Sequence, residues 1–139
     1  MNDNTKRRRA REIALQVLFQ KEFVGEIDVA TSLSYFRDQL EAPEDSWAYS
    51  EKLLRGILTH LDQIDAQLTE KSRNWKLSRM SAVDLCILRI GVFEITQGEG
   101  EVPPKVAINE AIEIAKKYGG TESANFINGL LDEVLKGVS

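Results

Sequence analysis

The sequence predicts an all-α fold of about seven helices packed around a buried central helix at about 82–96. Three observations carry that reading. Apolar residues recur at i, i+3, i+4 spacing from one end of the chain to the other, and no segment keeps the strict alternation of a half-buried strand. The stretch SAVDLCILRIGVFEIT, 81–96, bears two apolar stripes at once: Val83, Cys86, Ile87, Ile90 and Phe93 on one, Leu85, Leu88, Val92 and Ile95 on the other. A helix apolar around so much of its circumference is buried on several sides. A chain of 139 residues, 42% hydrophobic and 29% charged, is long enough to close one such domain over 1–139.

The elements follow in order. KRRRAR, 6–11, runs into a helix with Ala10, Ile13, Ala14, Val17 and Leu18 inward, Leu15, Phe19 and Phe23 widening the stripe, and Asn4 or Thr5 as its N-cap. On it Arg7 and Arg11 share a face and Arg8 reaches Glu12 at i+4. Asp28 starts a second helix, with Val29, Leu33, Phe36 and Leu40 inward, and EAPED ends it. A third, about 46–58, turns Leu54, Ile57 and Leu58 inward, with Tyr49 a further candidate. Thr59 with Asp62 has the form of a capping box and divides it from a fourth at about 60–72, which uses Leu61, Ile64 and Leu68. His60, the lone histidine, falls at that junction in a surface or capping position. SRNWKLSRM, 72–80, connects to the central helix, its mouth plugged by Trp75 and Leu77, with an exposed stacking position the alternative for Trp75, and its start capped by Ser81 with Asp84. GEGEVPPK is a loop from which Pro104 opens a helix with Ile108, Ala111, Ile112 and Ala115 inward, stopped at Gly119. Thr121 caps the last helix, with Ile127, Leu130, Leu131 and Val134 inward.

Arg89 stands out inside the central helix, because its neighbours at i±3 and i±4 are Leu85, Cys86, Val92 and Phe93, none of which accepts a hydrogen bond from guanidinium. An unpaired buried charge costs several kcal/mol, so the reading requires a carboxylate from another helix, Glu110 or Glu113. Cys86 is the single cysteine, which excludes an internal disulfide and suits a small buried hydrophobe in a reducing, cytoplasmic setting. No apolar run reaches the length of a membrane span, and there is no signal peptide, P-loop, dinucleotide fingerprint or zinc spacing. With no nucleophile motif around the one histidine, the chain reads as a non-enzyme without cofactor or metal.

Net charge is −4, yet residues 1–25 hold six Lys and Arg against three Asp and Glu, while the rest holds twelve against nineteen. Five cations at a helix N-terminus oppose the macrodipole, so a task outside the helix must justify them. Lys6, Arg7, Arg8, Arg9 and Arg11 suit RNA phosphate, because the planar arginine fork binds it bidentately and stacks on bases. A solubilising terminus is the structural alternative.

RRRARE at 7–12, ILRIGVFEI at 87–95, PPKVAINEAIEIAKKYG at 103–119 and FINGLLDEVL at 126–135 resemble the NusB family of bacterial transcription antitermination proteins, and the resemblance spans the chain. Ribosomal RNA cytosine methyltransferases have a similar N-terminal domain, but this chain stops where their catalytic domain would begin. The resemblance implies two packed helical bundles, binding of boxA RNA, a heterodimer with the ribosomal protein NusE, and a role in the antitermination complex on RNA polymerase during ribosomal RNA transcription. It extends the RNA track to Ser123, Asn125 and Phe126, beside Glu122, and places Asp84 where NusE is met. A homodimer covering the arginines is left open, and so is a helical protein–protein adaptor without specific RNA binding.

Overall fold

The computed structural model describes residues 2–73 and 75–138, so Asn74 in the 72–80 connection lies outside the described residues. Among these residues there are seven α-helices and no strand: α1 Asp3–Val24, α2 Val29–Gln39, α3 Glu44–Thr59, α4 Leu61–Ser72, α5 Ala82–Thr96, α6 Pro104–Tyr118 and α7 Thr121–Gly137, with a 3-10 turn at Leu77–Arg79. None of these helices is long and apolar enough to cross a membrane.

The doubly striped segment is the hub. Leu85, Cys86, Ile87, Leu88, Ile90, Val92 and Phe93 of α5 are all buried, and α5 packs against α1, α3, α4, α6 and α7. α1 lies chiefly on α3 and α6 on α7, so α5 joins two helix pairs through one continuous core. Two glycines permit the close approaches. A Cβ on Gly56 would stand 2.2 Å from the Phe93 ring, and one on Gly91 would stand 2.7 Å from a Leu131 methyl. Cys86 is buried as expected, and desolvation, reinforced by Glu22, pushes its thiol up to about 12.

Local signals set most helix ends. Asp28 accepts the Thr31 N–H at 3.0 Å and its hydroxyl at 2.6 Å, Ser81 Oγ accepts the Asp84 N–H at 3.1 Å, and Pro104 opens α6. Three expected caps differ. Asn2, not Asn4 or Thr5, caps α1 by accepting the Thr5 N–H at 2.8 Å, because the helix begins a turn earlier. Thr59 makes no capping box: α3 continues through it, leaving His60 as the whole α3–α4 junction with its ring nitrogen 2.9 Å from the Gly56 carbonyl. Gly120, at φ 92°, takes the N-cap position of α7, and Thr121 is already helical.

Three tertiary expectations also change. Arg89 is buried and paired, but with Asp65 of α4, at 3.0 and 2.9 Å, and with Glu22 of α1. Glu113 pairs with Lys116 at 3.5 Å, and Glu110 is committed to arginines of α1. Phe19 and Phe23 do not widen the core stripe; they stand exposed, Phe23 by 70%, in edge-to-face contact at 4.9 Å. Trp75 is 53% exposed, whereas Leu77 does pack on the core.

Because Phe93 occupies the space beside Gly56, Gly56→Ala is expected to lower stability by about 1–3 kcal/mol, the range for overpacking a dense core, as read by urea unfolding with an unchanged m-value.

Candidate nucleic-acid interface

Successive helical residues fan out by about 100°, so the cations in the first turns of α1 point to different neighbours. Lys6 reaches Asp45 at the start of α3, 3.2 Å away, and Ser46 Oγ donates to the Lys6 carbonyl at 2.7 Å. Arg7 lies 5.1 Å over the Tyr49 ring and pairs with Glu101 of the α5–α6 loop at 3.2 Å. Arg8 binds Glu110 of α6 through two bonds of 2.8 and 2.7 Å, with its side chain 44% exposed. Arg9 pairs with Glu12 at 3.7 Å and donates to the Glu41 carbonyl at 3.4 Å. The expected Arg8–Glu12 pair is absent, since Glu12 is taken by Arg9, Lys117 at 2.7 Å and Tyr118 at 3.3 Å.

Arg11 is different. The sequence groups it with the surface arginines, but at i−3 from Ala14 and i−7 from Leu18 it lies on the core stripe and is only 1% exposed. Its guanidinium binds Glu94 of α5 through contacts of 2.9, 3.1 and 2.9 Å and Glu110 at 3.4 Å. Tyr49 donates its hydroxyl to the same Glu94 at 2.5 Å, and burial together with Glu94 pushes that phenol up. Paired on several sides, the two buried charges are tolerated where either alone would not be. Lys6, Arg7, Arg8 and Arg9 therefore form the accessible basic edge, and Arg11 anchors the helix that carries it.

A second group converges elsewhere. Trp75, Arg79, Asp84, Glu122, Ser123 and Phe126 line a cleft of about 320 Å³, in which Trp75 and Phe126 meet edge to face at 5.8 Å. Asn125 is exposed on α7 but does not line the cleft, lying about 200° round the helix from Ser123, and Phe126 is half-buried against the core. Trp75 takes the exposed stacking position that is the alternative to burial for so large a ring, and Arg79 was not singled out from the sequence. A basic residue four positions after an aromatic was the only signal, and the large ring argued for burial. Asp84 Oδ1 is buried without a hydrogen-bond partner among the described residues, so the side chain does not complete the capping box whose backbone half Ser81 makes.

Val83, one residue before Asp84, lines a different surface. With Leu15, Phe19, Phe23, Tyr35 and Tyr118 it bounds an open apolar groove of about 550 Å³ between α1 and α2. Asp84 thus stands on the ridge between a hydrophobic groove and an aromatic cleft. Among the described residues, no group of three or more His, Cys, Asp or Glu side chains is arranged to hold a metal ion.

A family model described as the NusB family matches residues 8–136. The chain is 47% identical over 134 residues to the transcription antitermination protein NusB of Desulfitobacterium hafniense strain DCB-2, covering 96% of this chain and 90% of that protein. NusB of T. maritima has a similar structure, with a TM-score of 0.81 and 35% identity over 94% of this chain and 90% of that one. A chain in a crystal structure of the antitermination factors NusB and NusE with dsRNA shares the fold, with a TM-score of 0.84 and 23% identity over 96% and 98% of the two chains.

Two predictions follow from the buried network. Arg11→Ala leaves Glu94 buried without its principal partner and is expected to cost about 3–5 kcal/mol in chemical denaturation. Glu110 is held below its ordinary value of 4.5 chiefly by the Arg8 hydrogen bond, against burial and with help from Arg11. A depressed carboxylate adds stability that is complete above about pH 4.5 and is lost as pH falls through the lower folded value. Glu110→Gln should therefore lower the urea midpoint at pH 7 and flatten its decline below pH 4.5.

Proposed function

From the premise that the chain belongs to the NusB family, whose model spans residues 8–136, we propose that it binds boxA-type single-stranded RNA together with NusE and so nucleates an antitermination complex on RNA polymerase, above all in ribosomal RNA transcription. Its curated relatives are transcription antitermination proteins, a family of RNA-binding factors and not of enzymes. The whole of 1–139 serves as one RNA-binding helical domain acting in the cytoplasm.

The observation that carries the proposal is the grouping of Lys6, Arg7, Arg8 and Arg9 on one helix end held rigid by Arg11. Guanidinium groups on a fixed scaffold contact backbone phosphates without first ordering the chain that bears them. The aromatic cleft adds what phosphates lack. Phe126 and Trp75 offer ring surfaces for an unstacked base, Ser123 offers a hydroxyl in the same cleft, and Asn125 offers an exposed amide on the same helix. Asp84, on the central helix, marks the face offered to NusE, and Val83 beside it in sequence lines the open apolar groove that extends that face. The crystal structure of the antitermination factors NusB and NusE with dsRNA noted above supports this reading, since a chain in it shares this fold.

Contacts to about three to five phosphates give a log–log salt slope of about −2 to −3.5 on single strands, so a fourfold rise in salt weakens binding roughly 10- to 100-fold. Fluorescence anisotropy of a labelled boxA-like RNA and a scrambled control, with and without NusE, tests the proposal. Expected are preference for the boxA-like strand, enhancement by NusE, and loss of most binding in Arg7→Ala/Arg9→Ala with thermal stability nearly unchanged, because exposed ion pairs contribute about 0–1 kcal/mol each. Equal, weak, NusE-independent binding of both strands would overturn it in favour of a protein–protein adaptor.

A further inference from the structure

Beside the arginine run, α1, α3 and the α5–α6 loop bound an open cleft of about 350 Å³ lined mostly by charged side chains, on segments that no sequence motif links. Lys6 and Arg7 enter it from α1 and Lys52 from α3, with Tyr49 at its wall. The cleft is already occupied by the protein's own anions. Asp45 takes Lys6, while Glu101 lies between Arg7, at 3.2 Å, and Lys52, with which it makes a short contact. One carboxylate bridging an arginine and a lysine stands where a phosphate of a bound strand would make the same two charge-assisted bonds.

Resting on the RNA reading above, we propose that Lys52 is a further RNA-phosphate contact and that Glu101 is a resident counter-anion that the phosphate displaces. The geometry favours exchange over a permanent bridge. Glu101 sits on a turn outside any helix, its N–H bonded to the Gly98 carbonyl at 3.1 Å, and the preceding Glu99 and Gly100 have φ of 55° and 78°. Arg7 has a second contact, over the Tyr49 ring, that does not involve Glu101, and the Lys52 side chain is 53% exposed on a helix that is otherwise anchored in the core. Ion pairs this exposed are weak, so replacing carboxylate by phosphate costs little. An acidic chain thereby keeps its basic edge neutralised until a polyanion arrives, which suppresses adventitious anion binding.

The test is anisotropy of the full chain with the boxA-like RNA over a salt series, comparing Lys52→Ala and Glu101→Gln with Arg9→Ala, which lies outside the cleft. Lys52→Ala is expected to weaken binding and to reduce the salt slope by about 0.7, the amount for one single-strand phosphate. Glu101→Gln is expected to tighten binding severalfold. If Arg9→Ala weakens binding while Lys52→Ala leaves affinity and slope as they were, or if Glu101→Gln weakens it by loosening Arg7, the cleft inference is overturned and the RNA reading stands. If none of the three variants, Arg9→Ala included, alters binding, the RNA reading falls and the cleft with it. Thermal melts of each variant confirm that the fold is intact.

Discussion

The pair between Arg11 and Glu94 is the constraint on which the rest of the molecule depends. It joins the first helix to the central one across 83 residues of sequence, and both side chains are almost wholly removed from water. Desolvating two charges is costly, and only a specific geometry with additional bonds recovers the loss, here from Tyr49 and Glu110. Such a pair selects one rotation of α1 and rejects the others. Once Arg11 points inward, the 100° step of the helix directs Arg7 to Tyr49, Arg8 to α6 and Lys6 to α3. A buried arginine thus sets the orientation of the exposed ones.

This explains which features were legible in advance. The seven helices and the buried α5 follow from apolar periodicity, a local property, and the Asp28, Ser81 and Pro104 signals act within one turn. Charge partners are not local. Arg89 required a carboxylate, but whether α4 or α6 supplied it depended on which helix lay alongside, and Glu110 was drawn instead to Arg8 and Arg11. Periodicity also leaves the edges of a stripe undecided: Leu15 lies within the core while Phe19, one turn on, lies beyond it. Trp75 shows the opposite limit, where a large ring's usual preference for burial yields to a connection with too few neighbours to cover it.

The candidate site was legible in the same uneven way. A run of cations is visible as composition, but its separation into exposed edge and buried anchor came from the register of α1 against the core. The contributions of Lys52 and Glu101 lay on other segments, with no motif to mark them. The result is a surface whose charges are matched internally to a degree that net charge conceals. An acidic protein carrying such an edge has little long-range attraction for polyanions, so selectivity rests on short-range exchange of partners.

The groove bounded by Phe19, Phe23 and Tyr35 has a thermodynamic consequence of its own. Rings left in water in the free chain gain from burial when a partner covers them, and a partner that binds only the folded form raises the unfolding free energy by mass action, about 2.7 kcal/mol at a hundredfold excess over its Kd. The melting temperature of the isolated chain is then a floor. Were NusE to dock there as proposed, the abundance of one component would regulate the persistence of the other.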